Sequence, residues 1–448
     1  MKLLLQISIL LVLFIIMALA ISKIPVSKNT ESKNSDTLKF DIIEYDSNKQ
    51  FYYSYDDSSE IISLDIAFRD AGYALDKKDK QGLSFVLLYL FRNSAVTSKP
   101  ENLQNMIEQY GFKVDFNVDA ENFYISVKSI SQYKKQLLSL LQYFINPKIT
   151  DNKLIEQAKE NILQQYEINK GNAGFLASLE QSKTLFSDTS LANIPYGNEE
   201  SMKLINIEDI QEFAKSRFTR ENFYFAISGD ASASDAKNLY KKLINDLAPK
   251  FKQKYNKYEG NYKPQKNHVN IDKDQVVIKA YMPSISKNSN NFYKYYIINY
   301  IFGASGLNSY LSTELREKHG LTYSAYSYFD IYNDFSIWNI EFSTDKKNYK
   351  KSLKILSDLI NSIVKNGFTE DDLDKARKYL TGSYEIYFNS NEKISSYLID
   401  SLVRGVSPSI IRSRNNLVNS YTIDEINNVL PKLLNFEDLS IITVGDID

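Results

Sequence analysis

Apolar positions along the chain alternate between two periods. Residues 82–95, GLSFVLLYLFRNSA, place Leu83, Val86, Leu87, Leu90 and Phe91 on one face of a 3.6-residue period, which predicts a helix. Phe85, Leu88 and Tyr89 lie off that stripe, where an exposed helix carries polar residues. Farther on, IEDIQEFAKSRFTRENFYFAISGD (207–230) and IDEINNVLPKLLNFEDLSIITVGD (423–446) share one pattern, an amphipathic helix leading into a short apolar strand that stops at Gly-Asp. Ile207 matches Ile423, Ile210 matches Ile426, Glu221 matches Glu437 and Gly229-Asp230 matches Gly445-Asp446, at a constant offset of 216. YKKQLLSLLQYF from Tyr133 and YKKSLKILSDLI from Tyr349 repeat at the same offset. A helix follows each; the second opens on Thr369 and Asp372, a capping-box start after Gly367 closes the preceding helix. EQYGFKVDFNV around Gly111 and REKHGLTYSAY around Gly320 correspond more weakly, each a helix end followed by an alternating strand.

The chain therefore reads as two copies of one plan: strand, helix, strands, helices, strand. The fold class is α+β, two homologous α/β repeats with mostly antiparallel sheets covered by helices. A Lys-rich stretch without period, 248–272, carries Pro249 and Pro264 and reads as the linker between an N-terminal domain, 41–247, and a C-terminal domain, 273–448. Ahead of both, residues 1–20 run from a single Lys through a long apolar stretch to Ala18-Leu19-Ala20, which reads as a secretory signal or, if uncleaved, a membrane anchor. Either outcome places the rest across the cytoplasmic membrane, with the periplasm of a bacterium as the expected location. Residues 21–40 are polar and read as a flexible leader.

Composition narrows the chemistry. A net charge of −1 provides no field to gather nucleic acid. The absence of cysteine excludes disulfides, thiolate catalysis and Cys-ligated zinc. The two histidines, His268 and His319, are too far apart in sequence to form a His pair at helical spacing. His268 falls in the linker stretch and reads as solvated; His319, just before Gly320, suits a helix C-terminus better than a metal.

Three stretches carry a resemblance: IPYGNEESMKLINIEDIQEF, ENFYFAISGD and FGASGLNSYLSTELREKHGLTYSAY. Together they resemble the M16 (insulinase, pitrilysin, mitochondrial processing peptidase) metallopeptidases over about residues 40–448. Active members of that family carry an inverted zinc motif, H-x-x-E-H, after a Gly-Leu opening. Two His one turn apart hold Zn²⁺ and the Glu activates the metal-bound water. Gly82-Leu83 matches the opening, but Phe85, Leu88 and Tyr89 stand where His, Glu and His would be. Phe and Leu offer zinc no lone pair, and a neutral Tyr is a poor ligand and a poor base. The family's third ligand is a Glu on a later helix, where this chain has Glu156 and Glu160; without a His partner both read as solvated helix positions.

The resemblance also implies an Arg and a Tyr seven residues apart, reaching across a chamber to substrate; Arg316 and Tyr323 have that spacing. Guanidinium and phenol are both donors suited to a developing oxyanion. A charge on an exposed helix and a half-buried strand tyrosine are the plainer alternatives. Gly303 and Gly306 resemble the family's glycine-containing loop near the substrate path, with a simple loop turn as the equal alternative. Family chambers are built from four such repeats, and this chain is half of that clam-shell. The resemblance thus implies a non-catalytic subunit that binds no cofactor itself, closes the chamber of a zinc-bearing partner with H-x-x-E-H, and supplies Arg316 and Tyr323 to bound peptides. The alternative is a peptide-binding or structural homodimer without peptidase activity. An unconventional metal site of scattered carboxylates has no clustered motif to support it.

Overall fold

In the computed structural model the described residues are 43–44, 50–187, 190–192, 194–249 and 262–447. The signal and leader readings, and residues 250–261 of the linker, lie outside them. Strands β1 (Ile43–Glu44), β2 (Phe51–Tyr55), β3 (Ile61–Arg69), β4 (Lys113–Val118), β5 (Asn122–Ile130) and β6 (Phe223–Gly229) form one sheet in the order β1-β2-β6-β3-β5-β4. Strands β7 (Lys266–Val269), β8 (Gln275–Ser284), β9 (Ala325–Ile331), β10 (Ser336–Asp345) and β11 (Ser440–Val444) form the other, in the order β7-β11-β8-β10-β9. Leaving aside the two-residue β1, the orders are the same. Each sheet is antiparallel except for one parallel pair, β2 with β6 and β7 with β11. The repeat read from the chain is therefore a repeat of topology. Gly229 and Gly445 take matching positive φ values of 123° and 139° where each closing strand ends.

The helices used below are α1 (Leu83–Arg92), α2 (Lys134–Ile145), α3 (Asn152–Lys170), α4 (Ala173–Leu185), α5 (Ile207–Arg217), α6 (Phe292–Asn299), α7 (Tyr349–Asn366), α8 (Glu370–Tyr387) and α9 (Asn391–Val403). Strand alternation sends Ile62, Leu64, Ile66 and Phe68 of β3 into a core shared with α1, α2 and α5. In the second half Val276, Ile278 and Ala280 of β8 do the same against α6, α7 and α8.

The opposite faces of the sheets are where the two halves meet. Helix α9, from the second half, packs across β2, β3 and β6 of the first sheet, and α4, from the first half, packs across β7, β8 and β11 of the second. Each half lends one helix to the other's sheet. Polar groups carry much of this exchange: the Ser228 hydroxyl donates to Asn391 Oδ1 at 2.8 Å, Gln181 Nε2 to Asn339 Oδ1 at 2.7 Å and Asn267 Nδ2 to Glu180 Oε1 at 2.8 Å. Where hairpin turn meets hairpin turn, buried Asn122 and Asn333 exchange two amide hydrogen bonds of 3.1 and 3.2 Å.

Two observations bear on domain organisation. The described residues fall in one compact unit, within which each half keeps its own apolar core. The connecting stretch is also shorter than 248–272, because Ala248 bridges to Thr219 and β7 takes 266–269. Parallel pairing of β7 with β11 draws in a polar segment whose own sequence has no strand period. His268 is thereby a strand residue, exposed, with Nε2 2.8 Å from the Gly445 carbonyl.

Candidate functional site

Helix α1 is anchored at its start. Gly82 turns the chain at φ 92°, and Asp76 accepts from Gly82 N–H at 2.9 Å, Ser84 N–H at 3.1 Å and the Ser84 hydroxyl at 3.1 Å. Burial pushes the Asp76 carboxyl up to about 8, opposed by these donors. The PYG segment closes over the same point: Ser201 Oγ donates to the Gln81 carbonyl at 2.9 Å, and a Cβ on Gly197 would stand 2.1 Å from that carbonyl oxygen. Gly82 and Gly197 thus serve one close backbone crossing.

The degenerate motif is filled by packing. Phe85 lies against Tyr196, ring centroids 4.8 Å apart, and near Tyr73 at 6.1 Å. Leu88 is 5% exposed and belongs to the first core. Tyr89 packs on that core, and its hydroxyl accepts from Asn161 Nδ2 of α3 at 3.4 Å. The α3 side chain that approaches α1 is therefore a neutral amide. Glu156 instead pairs with Lys159 at 2.7 Å, and both Glu156 and Glu160 are exposed. Two hydrocarbon side chains, a phenol and an amide do not fit a zinc ion and its base. Among the described residues no three His, Cys, Asp or Glu side chains gather as a metal site. Asn161 is not legible from the sequence, because the distance between the two helices is set by the intervening loops.

Arg316 and Tyr323 present the opposite picture. Residues 313–318 form a π-helical turn that ends at His319, and Gly320 reverses the chain at φ 60°. Glu314 pairs with Lys318 at 2.8 Å and with His319 at 3.4 Å, so the neighbouring charges satisfy one another and His319 sits at the helix end. Leu321 is buried, and its carbonyl accepts from the Thr344 hydroxyl at 2.7 Å. Thr322 is also buried and hydrogen-bonds to both backbone groups of Ser324. That pinned turn leaves Tyr323 facing outward, 88% exposed. Arg316 is exposed as well, and among the described residues neither side chain has a hydrogen-bond or ion-pair partner. A half-buried strand tyrosine is ruled out for Tyr323.

The two loop glycines have local explanations. A Cβ on Gly303 would stand 2.3 Å from Ser327 Oγ, so this glycine lets the turn at 300–304 lie on edge strand β9. Gly306 is exposed, takes φ 65° and has nothing within 4 Å of where a Cβ would be, a turn requirement alone.

Residues 204–380 match the family described as Peptidase M16 inactive domain. Residues 204–380 are thus an M16-type inactive domain. The chain is 23% identical over 393 residues to a Helicobacter pylori protein named non-peptidase homolog YmxG, covering 86% of this chain and 88% of that one. It is 19% identical over 357 residues to an uncharacterized zinc protease, YmxG, of Bacillus subtilis, covering 79% and 85%. Among solved structures it resembles a peptidase M16 inactive domain from Pseudomonas fluorescens, with a TM-score of 0.83, 22% identity, and 90% and 98% of the two chains covered. A protease from Helicobacter pylori superposes with a TM-score of 0.78 at 12% identity, over 91% and 99% of the chains. The α+β fold of paired, helix-covered sheets is that of these structures. The chain is non-catalytic and M16-like, with Phe85, Leu88 and Tyr89 at the zinc-motif positions.

Proposed function

We infer that this chain is the non-catalytic subunit of a two-chain M16 zinc peptidase exported across the cytoplasmic membrane. It closes the chamber of a partner that carries H-x-x-E-H and the zinc, and it extends Arg316 and Tyr323 toward peptides held there. One observation carries this reading. On a segment pinned by buried Leu321 and Thr322, Arg316 and Tyr323 stand exposed and, among the described residues, without a hydrogen-bond or ion-pair partner. Keeping a large aromatic ring in water has no folding rationale, whereas a donor pair held on a rigid turn suits charge stabilisation in a partner's site.

The test is affinity purification from the native source, followed by reconstitution with the co-purifying M16 chain. Chelator-sensitive peptide cleavage by the pair and not by this chain alone is expected. In the pair, Arg316→Ala or Tyr323→Phe lowers turnover by about ten- to a thousand-fold, the scale for losing one charge-stabilising donor. Recovery of self-associated chain only would favour the homodimeric peptide-binding alternative, and unchanged turnover would remove the role given to the two residues.

A further inference from the structure

The polar layer between each sheet and its borrowed helix holds one charged residue at the same register. Asp65 of β3 lies opposite Ala226, and Lys279 of β8 lies opposite Ile442, positions that match in the repeat. Lys279 is 3% exposed; its ammonium donates to Ser178 of α4 at 3.0 Å and lies 3.9 Å from Glu341. The second half therefore places a lysine between sheet and helix and surrounds it with acceptors. The first half places a carboxylate there. Asp65 is 6% exposed and accepts from the Ser126 hydroxyl, and Ser395 of α9 lines the same cavity.

Among the described residues no cation pairs with Asp65. Burial pushes its carboxyl up to about 6, and Glu392, of the same sign, adds a smaller push. Beside it is a cavity of about 290 Å³ between β3, β4, β5 and the start of α9, lined by charged, hydroxyl and aliphatic side chains. Ser63 lines that cavity, 2% exposed, and its hydroxyl has no hydrogen-bond partner among the described residues. A buried hydroxyl without a partner is costly unless something enters to meet it. At the rim Lys128 pairs with Glu392 at 3.6 Å, and Lys113 lies beside Asp115 on β4. Tyr387, from α8, is the other titratable group that senses Asp65. With every lining acid ionised, the cavity is one charge negative, and the unmatched charge is the deepest.

We propose that the Asp65 cavity binds an alkylammonium group, with Asp65 as counter-ion and Ser63 as a neutral acceptor. The volume falls at the low end of small-molecule pockets, about 300–1,000 Å³, and so suits one amine or one lysyl side chain. Because β4 is the free edge of its sheet, the cavity opens where a peptide's side chain could enter as well as a free amine. The site uses neither Arg316 nor Tyr323, so it stands or falls separately from the peptidase reading.

The experiment is calorimetric titration of the purified full chain with n-butylammonium chloride at pH 7.5 against constant ionic strength. Saturable one-to-one binding at millimolar or tighter affinity is expected, weakened at least tenfold in Asp65→Asn and severalfold in Ser63→Ala. It should also weaken about tenfold at pH 5, where Asp65 is largely protonated. Circular dichroism of both variants confirms that they fold. A peptide with one lysine is compared with its norleucine counterpart; a lysine preference assigns the cavity to peptide side chains, and no preference alongside butylammonium binding assigns it to free amines. No saturable binding, equal binding by folded Asp65→Asn, or a response to potassium alone would overturn the proposal.

Discussion

Replacing Asp65 by asparagine should make the protein more stable at neutral pH, and the structure sets the size of the gain. The carboxyl titrates near 3.8 when unfolded and at about 6 in the fold, a difference of about two pH units. Between those values the native state holds a proton that the unfolded chain has released. Stability therefore falls as pH rises from about 4 to about 6, by about 3 kcal/mol, and stays at the lower level above that. Asparagine keeps the shape and an acceptor for Ser126 and carries no charge, so it escapes this fall. The hydrogen bonds to the ionised carboxylate are already contained in that shift, so the net expectation is a gain of about 3 kcal/mol at pH 7.5 that vanishes near pH 4. Urea unfolding of both proteins across pH 4–8 measures it. A pH-independent difference, or a loss of stability at pH 7.5, would refute the claim that Asp65 is buried without a counter-charge. A polar residue that costs the fold stability where it stands is the pattern expected of a binding site.

Gly197→Ala should destabilise far more than Gly306→Ala in thermal melts. Both glycines have positive φ, but only the first would push a methyl onto a backbone carbonyl, so about 1 kcal/mol is expected at Gly306 and several at Gly197. Asn122→Ala should cost about 1–3 kcal/mol by orphaning the buried Asn333 amide, and the double variant with Asn333→Ala should cost less than the sum of the two, measured as a denaturation cycle. Arg316→Ala and Tyr323→Ala should each leave stability within about 0.5 kcal/mol of the parent in the isolated chain, so that any loss in a reconstituted pair reads as function. Lys279→Met should destabilise by about 3–5 kcal/mol at neutral pH, because Glu341 and Asp330 lose the buried cation between them; adding Glu341→Gln should recover part of it.

The amino-acid pattern determined the repeat and the helix within residues 82–95, and the resemblance to M16 peptidases added its missing zinc chemistry and the meaning of the seven-residue spacing of Arg316 and Tyr323. These are legible because period and residue type act locally: apolar spacing selects helix or strand, and a side chain without a lone pair cannot ligate zinc wherever it is placed. The tertiary structure decided what depends on distance across the chain. Strand β3 alternates Ile62, Leu64, Ile66 and Phe68 with Ser63, Asp65 and Ala67, and the borrowed helix α9 turns that second face into an interior. The same exchange ties the two halves together, because a helix can serve a sheet hundreds of residues away and leave no trace in either segment's period. Tyr323 is one of 33 tyrosines until the pinned turn at 320–324 holds it in solvent. Exposure, burial and the absence of a counter-charge are properties of what surrounds a residue, and in this chain those surroundings come mostly from the other half.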